Sequence, residues 1–300
     1  MPTFTLSSIF YLIPLYFLVI APLLSQLFPQ DPAFSPNNAA YNHDDAEYAD
    51  TEDTSLNLNP DVLSLDDGTP VTCDDDAGGE AQYRVHILSQ APLVIYIEDF
   101  LSDAEADHLV NVSIPNYTFS TLYSSSNTLS PKTDSTKRLS DRALLARDNT
   151  VRCIERRAHA FQGWKPNLYI ERMWAQRYNV SGHYTHHYDW AGTAASRGGD
   201  RISTFMVYLG DECKGGGTNF PRLRRPRGGR WCEFLDCEEE EAGVTFRPIK
   251  GNAVFWENVR GEDGRGWAET WHASFPVEEG EKVGLNIWSW YQPPRGRWRV

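Results

Sequence analysis

Residues 201–210, RISTFMVYLG, form a short run of β-branched and aromatic side chains that ends at a glycine. Similar runs lie on either side of it, at 168–178 (LYIERMWAQRY), 243–258 (GVTFRPIKGNAVFWEN) and 282–291 (KVGLNIWSWY). Runs of this kind, separated by turns rich in Gly and Pro, are typical of antiparallel strands in a sandwich or barrel. The chain beyond Trp164 is therefore predicted to be mainly β.

Two helices are predicted ahead of these strands. The stretch 92–113, PLVIYIEDFLSDAEADHLVNVS, has the pattern of a strand, a turn and a helix, with Ser102 and Glu105 at the spacing of a capping box. A second helix is expected at about 151–161, where apolar residues recur on one face. We therefore predict an α+β, mainly β fold with the helices packed on one side of the strands.

The first 30 residues carry no charged side chain, and Ile9 to Leu24 is an unbroken apolar stretch. With its flanks this stretch reaches the roughly 20 residues that cross a bilayer as a helix. We predict a transmembrane signal anchor over residues 1–30; the alternative is a cleaved signal peptide, because Pro14 and Pro22 weaken a helix. Either reading predicts the secretory pathway. The anchor predicts a single-pass protein of the endoplasmic reticulum or Golgi membrane with its globular part in the lumen.

An acidic segment follows over residues 31–83, which hold 14 Asp and Glu and no Lys or Arg. Its low hydropathy and like charge predict a disordered stem, because it cannot bury enough apolar surface to offset its conformational entropy. The remaining 27 acidic and 28 basic residues nearly balance, and no nucleic-acid partner is predicted. Residues 84–300 are predicted to form the globular domain.

Five cysteines permit one or two disulfides in an oxidising compartment. Proximity along the chain favours a bond from Cys213 to Cys232 or Cys237, and both pairings stay open at this point. Three sequons fit the same compartment, at Asn111, Asn116 and Asn179.

Residues 181–190, SGHYTHHYDW, concentrate three histidines and one aspartate. His187 and Asp189 are two residues apart, so on a strand both side chains face one side and can bind one cation. Two histidines and one carboxylate on one side of a metal are the ligand set of non-haem Fe(II) oxygenases. The second histidine must come from elsewhere, and His272 is the only histidine downstream. The alternative is a hydrogen-bonded polar cluster inside a sandwich.

Lys282 lies ten residues beyond His272. A lysine inside a mainly apolar barrel is costly unless it meets an anion, and a dicarboxylic cosubstrate would supply one.

Four motifs in this order resemble the catalytic motifs of the prolyl 4-hydroxylase family of Fe(II)/2-oxoglutarate dioxygenases, in its short membrane-anchored form. They are YNVSGHYTHHYD (178–189), RISTFMVYLGDECKGGGTNFP (201–221), KGNAVFWEN (250–258) and HASFPVEEGEKVGLNIW (272–288). The resemblance covers about residues 92–291. It implies a double-stranded β-helix (jelly roll) core with supporting N-terminal helices.

The resemblance also implies the ligand set. It assigns His187, Asp189 and His272 to iron as the metal ligands and catalytic centre, and Lys282 to the distal carboxylate of 2-oxoglutarate. Fe(II), 2-oxoglutarate and O2 are then the reactants at the site, with L-ascorbate as a helper.

Five further positions also match the family. Tyr178 and Thr218 are expected to help hold 2-oxoglutarate. Glu171, Arg201 and Trp288 match positions that line the peptide groove in short family members.

The expected activity is hydroxylation of peptidyl proline in a proline-containing polypeptide, and the need for a partner subunit stays open. One alternative keeps the oxygenase chemistry and changes the acceptor, since a fold and a metal set do not specify the substrate. The other is a non-catalytic jelly-roll binding module.

Overall fold

Two antiparallel sheets, a two-stranded ribbon and two helices make up the described part of the computed structural model, which comprises residues 58–73, 83–121, 134–192, 199–238, 242–261 and 264–292. All of these residues belong to one unit, Thr54–Val300. The mainly β fold with supporting helices is confirmed, and its core is a jelly roll.

The larger sheet has nine strands. They are β1 (Arg84–Gln90), β2 (Leu93–Glu98), β3 (Thr118–Phe119), β5 (Asp141–Leu144), β6 (Leu168–Ile170), β7 (Trp174–Tyr178), β9 (Asp200–Tyr208), β13 (Ala253–Glu257) and β16 (Lys282–Tyr291). Their order is β1-β2-β13-β9-β16-β7-β5-β3, and β6 also pairs with β16. The sheet includes strands from the runs at 168–178, 201–210 and 282–291, whereas the run at 243–258 contributes β13 to this sheet and Val244–Phe246 to the smaller one.

The smaller sheet has five strands in the order β12-β11-β14-β8-β4. They are β4 (Arg138–Leu139), β8 (His183–His187), β11 (Thr218–Phe220), β12 (Val244–Phe246) and β14 (His272–Ser274). The ribbon pairs β10 (Cys213–Gly215) with β15 (Val277–Gly280).

Alternation along the central strands divides the core into two layers. On β9, Phe205 and Val207 belong to the hydrophobic cluster that includes helix residues, whereas Met206 and Tyr208 belong to the cluster shared with the smaller sheet. Because successive side chains of a strand point to opposite faces, one strand serves both layers. The smaller sheet therefore covers one face of the larger sheet, and the helices cover the other.

The helices are α1 (Asp103–Ser113) and α2 (Asn149–Phe161). The capping box predicted for α1 is present, since the Glu105 N–H donates to Ser102 Oγ at 3.2 Å and the Ser102 N–H donates to the Glu105 carboxylate at 2.8 Å. The Asp148 carboxylate caps α2 by accepting from the Val151 N–H at 2.9 Å. Both helix starts are thus set by local sequence.

Residues 58–73, which composition assigns to the disordered stem, contact the domain. Leu63 is 5% exposed and bridges Glu171, and the Ser64 N–H donates to the Ile170 carbonyl at 2.8 Å. A disulfide joins Cys73 to Cys153 on α2. These contacts, which composition alone does not reveal, offset the entropy cost of ordering the segment. Residues 31–57 and 74–82 of the predicted stem lie outside the described residues, and the boundary at residue 84 stays a prediction.

The second disulfide joins Cys232 to Cys237, and Cys213 is free. The pairing expected from proximity along the chain is therefore wrong for Cys213. That residue lies on β10, where it pairs with Gly280, whereas the other two lie in the loop between β11 and β12. Strand pairing, which the sequence does not display, separates the three thiols.

The structure does not support the predicted membrane anchor. Among the residues that the structure describes, no helix is long and apolar enough to cross a bilayer. The longer of the two, α2, has 13 residues, against the roughly 20 that a span requires. A single-pass location in the endoplasmic reticulum or Golgi membrane is therefore not supported. Residues 1–30, on which that prediction was placed, lie outside the described residues.

Candidate metal centre and adjoining pocket

His187 and His272 lie side by side on neighbouring strands of the smaller sheet. His187 ends β8, His272 begins β14, and the two are direct partners in the strand pairing. Asp189 follows two residues after His187. A tight turn at 179–182 leads into β8, and a Cβ on Gly182 would stand 2.6 Å from the Asn179 carbonyl oxygen, so glycine is required there.

The three side chains converge on one point. The His187 Nε2 atom is 3.6 Å from Asp189 Oδ1, and the His272 Nε2 atom is 3.9 Å from Asp189 Oδ2. One ligand atom from each residue fits within 4.8 Å of the other two. Asp189 and His272 are buried, and His187 is partly exposed.

Backbone carbonyls set the tautomers of both imidazoles. His187 Nδ1 is 2.9 Å from the Thr185 carbonyl oxygen, and His272 Nδ1 is 2.9 Å from the Thr270 carbonyl oxygen. A carbonyl only accepts, so each Nδ1 carries a proton, and in the neutral form of each ring the Nε2 lone pair faces the centre. Burial also lowers the pKa of His272 to about 4, so this ring is neutral at physiological pH.

A narrow pocket leads from these histidines to Lys282. Its lining includes His187, His272, Tyr178, Thr218 and Lys282. Lys282 begins β16 directly opposite Tyr178 on β7. The pocket therefore has a metal-ligand set at one end and an ammonium group at the other.

Lys282 is fully buried. Its Nζ donates to the Gly216 carbonyl at 2.6 Å and to Ser274 Oγ at 2.9 Å, and among the described residues no carboxylate pairs with it. Burial lowers its pKa to about 7. A buried ammonium that no carboxylate neutralises is suited to bind an anion.

Glu171, Arg201 and Trp288 form a second cluster. The Arg201 guanidinium makes two hydrogen bonds to the Glu171 carboxylate, at 2.6 and 2.7 Å, and its central carbon lies 3.9 Å from the centre of the Trp288 ring. Within the described part of the chain, the Trp288 indole N–H finds no hydrogen-bond acceptor. The structure thus brings together three residues that lie 30 and 87 positions apart in the sequence.

The other two histidines of the motif face elsewhere. His186 Nε2 lies 3.1 Å from Asn219 Oδ1, and its ring stacks on Trp271. His183 Nδ1 lies 2.9 Å from the Ser181 carbonyl oxygen.

Comparison with known proteins agrees with this geometry. Residues 173–290 match the 2OG-Fe(II) oxygenase superfamily. Prolyl 4-hydroxylase 5 of Arabidopsis thaliana is 30% identical over 223 residues, which cover 72% of this chain and 75% of the relative. The chain belongs to the prolyl 4-hydroxylase family. Prolyl 4-hydroxylase 2 of the same plant is 29% identical over 211 residues, covering 68% of this chain and 69% of the relative.

A solved structure of a family member is also similar. The viral collagen prolyl hydroxylase vCPH from Paramecium Bursaria Chlorella virus-1, in its 2OG complex, matches with a TM-score of 0.49 and 24% identity. The match covers 71% of this chain and 98% of the viral one.

As a prolyl 4-hydroxylase-like protein, the chain is a 2-oxoglutarate-dependent dioxygenase that uses Fe(II), 2-oxoglutarate and O2, and ascorbate is typical of the family. The residues present fit these groups. Two imidazoles and a carboxylate are suitable ligands for Fe(II), and a set of three leaves coordination positions open. The buried Lys282 supplies a counter-charge for a carboxylate.

Sequence reasoning missed polar residues on the larger sheet that complete the site. Tyr208 donates its hydroxyl to Thr218 Oγ1 at 2.9 Å and lies 5.7 Å, by its ring centre, from Lys282 Nζ. Thr204 donates to Asp189 Oδ2 at 2.9 Å. A signal existed in the motif at 201–210, because residues 204, 206 and 208 of a strand share one face.

Proposed function

We propose that this prolyl 4-hydroxylase-like dioxygenase hydroxylates proline residues within a polypeptide. In this proposal His187, Asp189 and His272 bind Fe(II), and Lys282 binds the distal carboxylate of 2-oxoglutarate. One observation carries the assignment: a single pocket has the three-ligand set at one end and the buried ammonium of Lys282 at the other.

When bound, the cofactors supply the oxidation, in which 2-oxoglutarate and O2 are consumed at Fe(II), a C–H bond becomes C–OH, and succinate and CO2 are released. The protein holds the reactants for this step. The backbone bonds to Nδ1 orient both imidazoles, and Lys282 orients the dicarboxylate by its far end. Burial of the pocket excludes water, which limits unproductive oxidation.

Tyr178 and Thr218 are proposed to flank 2-oxoglutarate. Both are buried in the pocket lining, and the Lys282 Nζ lies 5.3 Å from the centre of the Tyr178 ring. Thr218 accepts the hydroxyl proton of Tyr208, which leaves its own hydroxyl proton for another acceptor.

The cluster of Glu171, Arg201 and Trp288 is proposed to bind the substrate. The Glu171 carboxylate fixes the guanidinium of Arg201 above the Trp288 ring, and the Arg201 side chain stays 30% exposed. An aromatic face and a fixed donor suit a peptide rich in proline, whose extended backbone offers carbonyl acceptors and apolar rings. The plant relatives are named as prolyl 4-hydroxylases, which supports proline as the acceptor.

The proposed working environment is an oxidising compartment of the secretory pathway. Two disulfides support this, because disulfides persist where thiols are not kept reduced. The catalytic domain is proposed to occupy residues 84–300.

Succinate release by the purified full chain tests the proposal. The assay contains Fe(II), 2-oxoglutarate and ascorbate, with and without proline-rich peptides, and compares the wild type with His187→Ala and Lys282→Met. The matched control is His183→Ala, because this histidine lies on the same strand but its ring nitrogens lie beside the backbone carbonyls of Ser181 and Thr136, outside the proposed metal ligands.

Peptide-stimulated succinate release, with a gain of one oxygen on proline, is expected for the wild type and the control variant and not for the other two. Succinate release that no proline-rich peptide stimulates would refute the prolyl assignment. Turnover that survives His187→Ala would refute the proposed metal site.

A further inference from the structure

A chain of buried hydrogen bonds runs from the larger sheet to Asp189. The Trp256 indole N–H donates to Asn258 Oδ1 at 2.8 Å, the Asn258 amide donates to Thr204 Oγ1 at 2.9 Å, and Thr204 is 2.9 Å from Asp189 Oδ2. Trp256 is 1% exposed, and Thr204 and Asn258 are completely buried. Because these side chains are buried, each contact depends on the next.

The direction of every proton in this chain is determined. An indole N–H only donates, so the Asn258 amide must turn its oxygen toward Trp256 and its NH2 group toward Thr204. The Thr204 oxygen thus accepts from Asn258, and its single proton is directed to Asp189. Asp189 Oδ2 is therefore the acceptor at the end of this chain.

The carboxylate lacks the support that the imidazoles have. His187 and His272 are held by strand pairing and by backbone carbonyls, whereas Asp189 lies beyond the end of β8. Its contact with Thr204 comes from β9 on the opposite sheet. This hydrogen bond connects Asp189 to the larger sheet.

We infer that Thr204 and Asn258 are positioning residues that hold Asp189 as a one-oxygen metal ligand; this rests on the proposed function. Thr204 occupies Oδ2, so Oδ1 remains to face the metal. A carboxylate free to turn would bind through both oxygens and occupy a position that the cosubstrate needs. The Thr204 hydroxyl thus fixes the orientation of Asp189 and keeps one coordination position of the metal open.

Mn(II) affinity of the full chain tests this without turnover. The free Mn(II) signal in electron paramagnetic resonance is titrated for the wild type, Thr204→Val and Thr204→Ser. Loss of the hydroxyl is expected to weaken Mn(II) binding about 10- to 100-fold, as for other groups that orient metal ligands, and serine is expected to restore it to within about threefold.

Ser203→Ala is the matched control. Ser203 is the neighbouring residue on β9, is 2% exposed, and donates its hydroxyl to Gln162 at 2.6 Å on the opposite face. This variant also removes a buried hydroxyl from β9, so it is expected to lower the melting temperature as Thr204→Val does and to leave Mn(II) affinity unchanged.

Asn258→Asp reverses the polarity of the chain. The new carboxylate still accepts from Trp256 but has no N–H for Thr204, so the hydroxyl proton is drawn away from Asp189. Mn(II) affinity is expected to fall as in Thr204→Val, together with a changed absorption spectrum of the Co(II)-loaded protein.

Two results would overturn the inference in distinguishable ways. Wild-type affinity in Thr204→Val, with a melting temperature lowered as in Ser203→Ala, would show that the hydroxyl is only structural. Failure of the wild type itself to bind Mn(II) would overturn the proposed metal site and this inference with it.

Discussion

Binding of 2-oxoglutarate is expected to take up a proton at Lys282. In the empty pocket the lysine is fully buried, its partners are the Gly216 carbonyl and the Ser274 hydroxyl, and burial lowers its pKa to about 7. A bound carboxylate would stabilise the ammonium form and return the pKa toward its ordinary value near 10. Above pH 7, binding must therefore bring a proton with it.

The magnitude follows from the two pKa values. At pH 8 about one empty molecule in ten carries the proton, against nearly all ligand-bound molecules, so binding takes up about 0.9 proton; the uptake falls to about 0.5 at pH 7 and about 0.1 at pH 6. The dissociation constant is expected to rise about tenfold per pH unit between pH 8 and 10. His272, with a pKa of about 4, is already neutral over this range and adds nothing.

Isothermal titration calorimetry of the Mn(II)-loaded chain measures this uptake. The binding enthalpy is compared at each pH in two buffers that differ in ionisation enthalpy. Lys282→Met is expected to bind weakly and without proton uptake. Lys165→Met is the control, because burial also lowers the pKa of Lys165, but this side chain lies over the ring of Tyr291, outside the pocket.

An uptake near zero at pH 8 in the wild type would refute the reasoning, as would the same uptake in Lys282→Met. Either result would mean that the lysine is not charged by the ligand. The anion would then have to be bound by another group.

Three further predictions concern stability and the groove. Lys282→Met is expected to raise the melting temperature of the empty protein, because the buried charge costs up to about 5 kcal/mol below pH 7. The wild type should in turn become more stable as the pH rises from 7 to about 10, because in this range Lys282 is protonated in the unfolded chain but mostly neutral in the folded one. The same change of melting temperature with pH in the wild type and in Lys282→Met would contradict this. Cys153→Ser opens a loop of 80 residues and is expected to cost about 4 to 5 kcal/mol in denaturant unfolding, against about 2 for Cys237→Ser with a separation of 5; equal losses would refute this ordering. Glu171→Gln weakens the bidentate pair with Arg201 and is expected to raise the KM for peptide several-fold while the KM for 2-oxoglutarate stays unchanged; a shift in both constants would contradict a substrate role.

Local patterns predicted the elements that depend on neighbouring residues. The capping box of Ser102 and Glu105 is present, and α2 spans the expected region. The spacing of His187 and Asp189 allowed both to face one side, and the structure brings His272 to meet them. The structure shows that these three residues lie close together, whereas their role as metal ligands stays a prediction.

Composition was a poorer guide to the N-terminal region. Low hydropathy predicted disorder for residues 58–73, yet Leu63 is buried and Cys73 is bonded to Cys153. The buried side chain of Leu63, the disulfide, and ion pairs from Asp67 to Arg147 and Arg152 hold this acidic segment against the domain.

By itself, the sequence determined the features that repeat along the chain or depend on a few neighbouring residues. These are the strand period, the helix caps, the spacing of His187 and Asp189, and the family motifs. Only the tertiary structure decided which distant groups meet. It placed Lys282 opposite Tyr178 and brought the Arg201 guanidinium over the Trp288 ring. It also left Cys213 without a disulfide and connected Asn258 to Asp189 by hydrogen bonds through Thr204. The reason is physical: a strand's own pattern states which face is buried, but hydrogen bonds between two sheets depend on register and packing, which no single segment contains.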